Sequence, residues 1–223
     1  MLNKLVNSLD DALAGFKDGV SVMISGFGDA GSPFELMHAI LDTGARDLTI
    51  ISNNAGTHER GIALLMMENR VSRVVCSFPR SSGAFVMDEK YKKGEVELVL
   101  VPQGTLVEKI RCGGSGIAAF YTKTALGTPL GEGKEVKTIN GEQYLLEEAI
   151  TADFGLIKAK RADRWGNTVY DKTGRNFGPV MAMACKTTVV QVEEIAELGD
   201  IDPEHVVTPG IFVDRVIRIK GGI

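Results

Sequence analysis

Val20-Ser21-Val22-Met23-Ile24-Ser25-Gly26-Phe27-Gly28-Asp29-Ala30-Gly31-Ser32-Pro33 is the stretch from which the fold can be read. Val20–Ser25 is an apolar, β-branched run of the kind that forms a strand buried on both faces. Glycines follow at positions 26, 28 and 31. Glycine lets the backbone turn through φ > 0 and come close to a ligand. Ser32 then fits a helix N-cap, Pro33 the first helical position, and Glu35 the partner residue of a capping box. A strand, a glycine turn and a helix N-terminus together suit a phosphate-bearing ligand. The spacing is G-x-G-x-x-G, the dinucleotide spacing, so an NAD site is one reading. The next strand weighs against it. A dinucleotide fold places Asp or Glu at the end of its second strand to hold the ribose. Here that position holds Asn53 and Asn54. No G-K-[ST] closes the turn, which argues against a nucleotide P-loop. A structural turn and a site for another ligand both stay open.

Outward from this stretch, strands and helices alternate. The helix after Pro33 turns Leu36, Ile40 and Leu41 inward and stops near Gly44. Leu48–Ser52 reads as a second strand, Gly61–Glu68 as a helix, Val71–Cys76 as a third strand, and Phe85–Lys93 as a helix. Val96–Val101 reads as a fourth strand and Gln103–Arg111 as a helix, ended by Gly113-Gly114-Ser115-Gly116. Repeated βα units imply a doubly wound, mostly parallel sheet. The second half is richer in strands. Val136–Ile139 and Gln143–Leu146 flank Asn140-Gly141, a type I′ hairpin signal. Phe154–Lys160 and Thr187–Val192 read as core strands and Ile211–Ile219 as a late one. Gly127–Lys134 reads as a mobile surface loop. No repeat or linker divides the chain, so residues 1–223 are expected to form one α/β domain with a β-rich elaboration.

The chain has 223 residues, 44% apolar and 24% charged, the composition of a water-soluble globular protein. Its net charge of −4 argues against a nucleic-acid surface. No window approaches the ~18 apolar residues of a membrane helix, and Met1–Asp10 lacks the apolar run of a signal peptide. Cys76, Cys112 and Cys185 are odd in number and form no C-x-x-C pair. They read as free thiols of a reducing, cytoplasmic protein. No His/Cys/carboxylate cluster has metal-ligand spacing, and no metal is expected.

Three further loops are rich in amides or glycine: Ser52-Asn53-Asn54-Ala55-Gly56, Val101-Pro102-Gln103-Gly104-Thr105 and Gly113-Gly114-Ser115-Gly116. Ligands of open parallel sheets bind at the carboxyl ends of the strands, where the first two loops fall. Neutral amides suit carbonyl and thioester oxygens. Asn53, Asn54 and Gln103 are equally compatible with simple turn capping.

With these residues in view, the sequence resembles the A (α) subunit of the family I 3-oxoacid coenzyme A transferases, over nearly the whole chain. The family's signature is an Asp-Gly pair, an apolar strand, Gly-Gly-Phe, then a glycine and a proline. It is matched by Asp18-Gly19, Val22-Met23-Ile24, Ser25-Gly26-Phe27, Gly31 and Pro33. Ser25 departs from the family's first glycine. Further matches are the Ser52 and Val101 loops, Ile110-Arg111-Cys112-Gly113-Gly114-Ser115-Gly116, and Ala152-Asp153-Phe154-Gly155-Leu156-Ile157-Lys158.

The resemblance implies an enzyme that passes coenzyme A through a thioester on a glutamate, covalent catalysis in two steps. That glutamate belongs to a Ser-Glu-Asn-Gly motif of the family's B (β) subunit, which this sequence lacks. Glu147, Glu148, Glu193 and Glu194 read instead as ordinary surface or turn carboxylates. The resemblance therefore implies a partner β subunit in an α₂β₂ assembly, with no turnover by this chain alone. Ser25, Gly26, Phe27, Gly28, Asp29, Ala30 and Gly31 are implied to contact coenzyme A, which enters as a substrate moiety; no tightly bound cofactor is implied. Gln103 is implied to face the thioester oxygen, with Asn53 and Asn54 as weaker contacts.

Asp163–Asn167, Asn176–Ala184 and Thr208–Val213 look most like the 3-oxoadipate transferases. These use succinyl-CoA as donor in bacterial catabolism of aromatic compounds. Acetoacetate is the alternative acceptor. Arg80 fits either a distal substrate carboxylate or a solvated surface. Gly178–Ala184 and Ile211–Ile217 fit either a partner interface or core packing. An NAD-dependent dehydrogenase and a non-catalytic acyl-CoA-binding module are the rivals from other classes.

Overall fold

The computed structural model describes residues 2–80 and 83–219. Its strands are β1 (Leu5–Val6), β2 (Ser21–Ile24), β3 (Leu48–Ile51), β4 (Val71–Cys76), β5 (Glu97–Leu100), β6 (Ala119–Thr122), β7 (Val136–Ile139), β8 (Glu142–Glu148), β9 (Ala152–Asp163), β10 (Thr168–Val169), β11 (Cys185–Ala196) and β12 (Arg215–Arg218). Its helices are α1 (Leu9–Ala12), α2 (Phe34–Thr43), α3 (Ile62–Met67), α4 (Phe85–Lys92), α5 (Gln103–Gly114) and α6 (Gly178–Met183).

The main sheet has the order β1-β12-β11-β9-β2-β3-β4-β5, with every neighbouring pair parallel. Only β10 is antiparallel, on the far end of β9. From β2 the chain steps through β3, β4 and β5, then returns to β9 on the other side of β2. The strand order therefore reverses at β2, which makes the carboxyl end of this strand a topological switch point.

Both faces of the sheet are covered. Val22 and Ile24 point to one face with Ile50, Val74, Leu156 and Val189; α2, α3 and α4 cover it with Leu36, Ile40, Leu65, Met66 and Met87. Met23, Ile51, Val75, Ile157 and Val190 point to the other face, covered by Leu106 and Ile110 of α5 and Met181 of α6. Successive side chains alternate across a strand, so a strand buried on both faces must be apolar at every position. Each such large side chain contributes about 1.5–3 kcal/mol by leaving water. The second sheet, antiparallel β6-β8-β7, is the β-rich elaboration. Asn140 (φ +52) and Gly141 (φ +82) turn its hairpin, both in the left-handed region that a type I′ turn requires.

Several local expectations are corrected. Ser32 does not cap α2; its hydroxyl donates to the Gly28 carbonyl, and the cap position, Pro33, has no side-chain bond. Glu35 is bonded by the Gln191 amide of the adjacent sheet, and Gln191 Oε1 accepts from Leu36 N–H at 3.4 Å. A buried side chain from β11 has replaced the local capping box. Gly113 and Gly114 are the last two residues of α5, with Ser115 as its C-cap, so the glycine-rich segment ends the helix as expected. A Cβ on Gly113 would meet the Ile150 carbonyl at 2.2 Å, and one on Gly114 the Met183 Cβ at 2.6 Å. They are contact glycines against the chain entering β9 and against α6, so this loop does not join the loops at the carboxyl ends. Gly127–Lys134 contains a 3₁₀ turn, Pro129–Gly131, pressed against Ala125 and Leu145. The late strand is shorter than expected: Gly210–Phe212 is a 3₁₀ turn with Ile211 exposed. Gly178–Ala184 is largely core, with Met181, Ala182 and Ala184 buried.

Glu147 is also not a surface carboxylate. It is 2% exposed and paired with Lys109 at 2.9 Å and with Lys134. Burial pushes its pKa up, and the two lysines outweigh this and hold it below the ordinary value. The pair ties α5 to the small sheet. Glu148, Glu193 and Glu194 are exposed, and the last two pair with Lys160 and Arg161 of β9.

Asp153 joins β9 to β2. Its Oδ2 accepts from Ser21 N–H at 2.9 Å and from Ser21 Oγ at 2.7 Å, and Lys186 donates to Oδ1 at 2.9 Å. The Lys186 bond first, then those from Ser21, hold its pKa down at about 2. A depressed carboxylate stabilises the fold above its ordinary pKa and loses that contribution as pH falls toward the folded value. Asp153→Asn is expected to lower stability at pH 7 by about 1 kcal/mol, the linkage value discounted for a one-third exposed group. Urea unfolding at pH 7 and about pH 3 checks this. The gap to the wild type narrows at the lower pH; a gap independent of pH would remove the assigned role.

Candidate active site

Four consecutive strands deliver their following loops to one end of the sheet. After β2 comes the glycine turn, after β3 Asn53-Asn54, after β4 Ser77-Phe78, and after β5 Gln103. Phe27, Gly28, Asn53, Asn54, Ser77, Phe78 and Gln103 line one cavity of about 680 Å³.

The glycine turn is built from within. Ser25 is buried, donates to the Gly31 carbonyl at 2.7 Å and accepts from Lys158 N–H at 3.1 Å. It therefore ties the two ends of the turn together and to β9. The left-handed conformations fall to Gly26 (φ +143), Gly28 (φ +60) and Gly31 (φ +73), so serine at position 25 costs the turn nothing in φ. Phe27 and Ala30 exchange backbone bonds across the tip. Asp29 is drawn the other way, paired with Arg60 and accepting from Thr57 Oγ1 at 3.0 Å. Behind the turn only about 20 Å³ remains, room for about one water, whereas the roomier cavity lies along Phe27 and Gly28.

A chain of amides lies opposite. Asn53 is buried, and its Oδ1 accepts from Ser77 Oγ at 2.8 Å and from Gln103 Nε2 at 2.7 Å. This fixes which end of the Gln103 amide faces Asn53. One of its two N–H groups is used there, and the other is free to donate into the cavity. Gln103 is the first residue of α5, whose opening N–H groups add positive potential beside the cavity. Asn54 Oδ1 accepts from Gly56 N–H at 2.8 Å, and its amide reaches toward the Gly28 carbonyl at 3.5 Å.

Of the residues expected from sequence, Phe27, Gly28, Asn53, Asn54 and Gln103 thus meet at one cavity. Gly26 and Gly31 shape the turn, Ala30 faces a neighbouring hollow, Ser25 is buried, and Asp29 is exposed but turned to Arg60 and Thr57. Ser77 and Phe78 were missed as site residues. The rule that loops at carboxyl strand ends bind ligands, applied to β4, identifies them. Asn176 was also missed. Its Oδ1 accepts from Gly26 N–H at 3.0 Å and its Nδ2 donates to the Ala30 carbonyl at 2.9 Å, clamping the turn from 150 residues away. Arg80 is solvated, 76% exposed beside Asp88. Burial pushes the Cys76 thiol up to about 11 and the Cys185 thiol up to about 12, so neither supplies a thiolate near neutral pH. No helix among the described residues is long and apolar enough to cross a membrane.

Known proteins resemble this chain along almost its whole length. A family model described as coenzyme A transferase matches residues 6–218. The α subunit of the 3-oxoadipate CoA-transferase of Pseudomonas putida is 55% identical over 221 residues, 99% of this chain and 96% of that protein. The α subunit of the succinyl-CoA:3-ketoacid coenzyme A transferase of Helicobacter pylori strain J99 is 42% identical over 217 residues, 97% of this chain and 93% of that protein. Among solved structures, the acyl-CoA transferase YdiF apoenzyme of Escherichia coli O157:H7 shares the fold, with a TM-score of 0.86 at 21% identity over 97% of this chain. The chain spans 47% of that longer protein. The dinucleotide reading of the glycine turn is overturned by the family match, as Asn53 and Asn54 already indicated. The chain belongs to the coenzyme A transferase family.

Proposed function

We propose that this chain, as one domain, is the α subunit of a two-subunit transferase. It would move coenzyme A from succinyl-CoA to a 3-oxoacid, with 3-oxoadipate as the acceptor. The observation that carries the reading is the Asn53–Gln103 amide pair opposite the glycine turn, in a cavity whose lining residues include no carboxylate. Among the described residues such a site offers hydrogen-bond donors and a backbone cradle but no carboxylate nucleophile, and its one hydroxyl, Ser77, is spent on Asn53. The nucleophilic glutamate then comes from the Ser-Glu-Asn-Gly motif of the β subunit, in an α₂β₂ assembly.

In this mechanism the partner's glutamate attacks the thioester carbonyl of the donor. Negative charge develops on the carbonyl oxygen, and the free N–H of Gln103 donates to it. Asn53 and Ser77 hold that amide in place, so little reorganisation accompanies the charge. The carbonyl re-forms as the coenzyme A thiolate leaves, giving an acyl–glutamyl anhydride; the thiolate then attacks the glutamyl carbonyl and releases the donor carboxylate, which leaves the enzyme–CoA thioester. The acceptor carboxylate attacks that thioester, and the same steps in reverse give acceptor–CoA and the free glutamate. The turn from Ser25 to Gly31 receives coenzyme A along Phe27 and Gly28. The substrate assignment is supported by the 55% identical P. putida protein. Acetoacetate is the alternative acceptor; the H. pylori relative carries the broader name of a succinyl-CoA:3-ketoacid transferase subunit.

The test is succinyl-CoA:3-oxoadipate transferase activity of the chain alone and co-purified with a β subunit that bears Ser-Glu-Asn-Gly. Activity only in the pair is expected. Activity of the chain alone would place the nucleophile here, and a higher kcat/KM for acetoacetate would overturn the 3-oxoadipate assignment.

A further inference from the structure

Phe27 has a second neighbour. Besides the cavity at Gln103, Phe27 lines a hollow of about 540 Å³ together with Ala30, Lys172, Thr173, Arg175 and Asn176. Lys172 and Arg175 are exposed, and neither pairs with a carboxylate among the described residues. By contrast, Arg60 pairs with Asp29, Lys160 with Glu193 and Arg161 with Glu194. Two unneutralised cations in one hollow make a local positive field.

The segment bearing them is held against the glycine turn. Lys172–Arg175 is a 3₁₀ turn, and Asn176 after it bonds both Gly26 and Ala30. Gly31 and Gly174 touch so closely that a Cβ on Gly31 would lie 2.3 Å from the Gly174 carbonyl. Lys172 itself has φ +46, a conformation a lysine adopts at a cost. The segment bearing the cations is therefore bonded to the wall of the reaction cavity, and Phe27 lines both hollows.

We propose that Lys172 and Arg175 form an anion subsite that fixes the far end of a substrate whose reacting end lies at Gln103. The inference rests on the transferase reading above. Two substrate groups have the required chemistry: the distal carboxylate of a dicarboxylic acyl chain and the phosphates of coenzyme A. Arg175 offers bidentate geometry to either, and Lys172 a point charge. A subsite for the distal carboxylate discriminates dicarboxylic 3-oxoacids from acetoacetate, which has no second carboxylate.

The test uses the assembled complex with Lys172→Asn, Arg175→Gln and the double variant. Asparagine tolerates φ > 0, so the backbone at residue 172 is kept, and an unchanged unfolding midpoint confirms it. The readouts are the kcat/KM ratio for 3-oxoadipate over acetoacetate and the affinity for free coenzyme A by calorimetry. A fall of at least tenfold in the ratio for the double variant supports the subsite with the carboxylate as its ligand. A tenfold weaker affinity for coenzyme A with the ratio retained supports the subsite with phosphate as its ligand. Both readouts within twofold of the wild type would overturn the proposal. If the wild-type complex transfers nothing to either acceptor, the transferase reading has failed instead. The subsite is then judged by calorimetry with coenzyme A and with adipate, where a loss of at least tenfold in the double variant supports it and no loss overturns it.

Discussion

Gln103→Ala, in the complex with the β subunit, is expected to lower kcat by at least tenfold and toward the 10²–10³-fold range of a lost oxyanion donor. The side chain is exposed in the cavity, starts a helix and makes one bond, to Asn53. Its removal leaves the core untouched, so the unfolding midpoint and the assembly with the β subunit are expected to be retained. A donor that acts only as charge develops changes kcat and kcat/KM together. A rise in KM with kcat unchanged would mean that Gln103 binds substrate rather than the developing oxyanion. Asn53→Ala is the informative companion. It leaves Gln103 in place but removes the carbonyl that orients it, so a partial loss of kcat is expected. Turnover at the wild-type level in Gln103→Ala, with assembly intact, would refute the assigned role.

Gly31→Ala is the second large effect. Gly31 has φ +73, and a Cβ there would lie 2.3 Å from the Gly174 carbonyl and 2.6 Å from Asn176 Nδ2. A backbone oxygen cannot swing away as a side chain can, so the glycine turn and the 171–176 segment must part. The left-handed conformation and the clash together cost about 2–4 kcal/mol. The clamp of Asn176 on Gly26 and Ala30 loosens with it. A KM for acyl-CoA raised at least tenfold is expected, together with the lower stability in urea. Gly28→Ala separates the two causes: Gly28 has φ +60 but nothing within 4 Å of an added Cβ. Its stability cost is confined to the backbone conformation, about 1–2 kcal/mol. Equal losses of stability in the two variants would show that the close approach of Gly174 is without consequence.

The strands β2 and β3 were legible because a parallel strand covered on both faces is apolar at most of its positions, as Val22-Met23-Ile24 and Ile50-Ile51 are. β4 was legible from its buried Val74-Val75-Cys76, although Ser72 and Arg73 are exposed. The Asn140-Gly141 hairpin was legible because few residues accept two successive positive φ angles. Gln103 and Asn53 were legible as candidates because both follow strands, and loops at carboxyl strand ends converge. The capping box was misread because Ser32, Pro33 and Glu35 satisfy a local rule while Gln191, far along the chain, makes the better bond. Glu147 was misread because a carboxylate in a short strand looks solvated until Lys109 and Lys134 are brought to it.

By itself, then, the amino-acid sequence determined the alternation of β2–β5 with their helices, the glycine turn and the family. Each of these depends on residues within one strand, one turn or one short motif, where local sterics and burial decide the outcome. Only the tertiary structure decided that Asn53 presents Gln103, that Asn176 clamps the turn, and that Lys172 and Arg175 stand unpaired in a hollow that Phe27 lines. The Asn53–Gln103 contact spans 50 residues and exists because the parallel strands β3 and β5 end at the same edge of the sheet; the Asn176 clamp spans 150 residues and exists because β9 returns to lie beside β2. No periodicity in the chain records which side chains that return brings together.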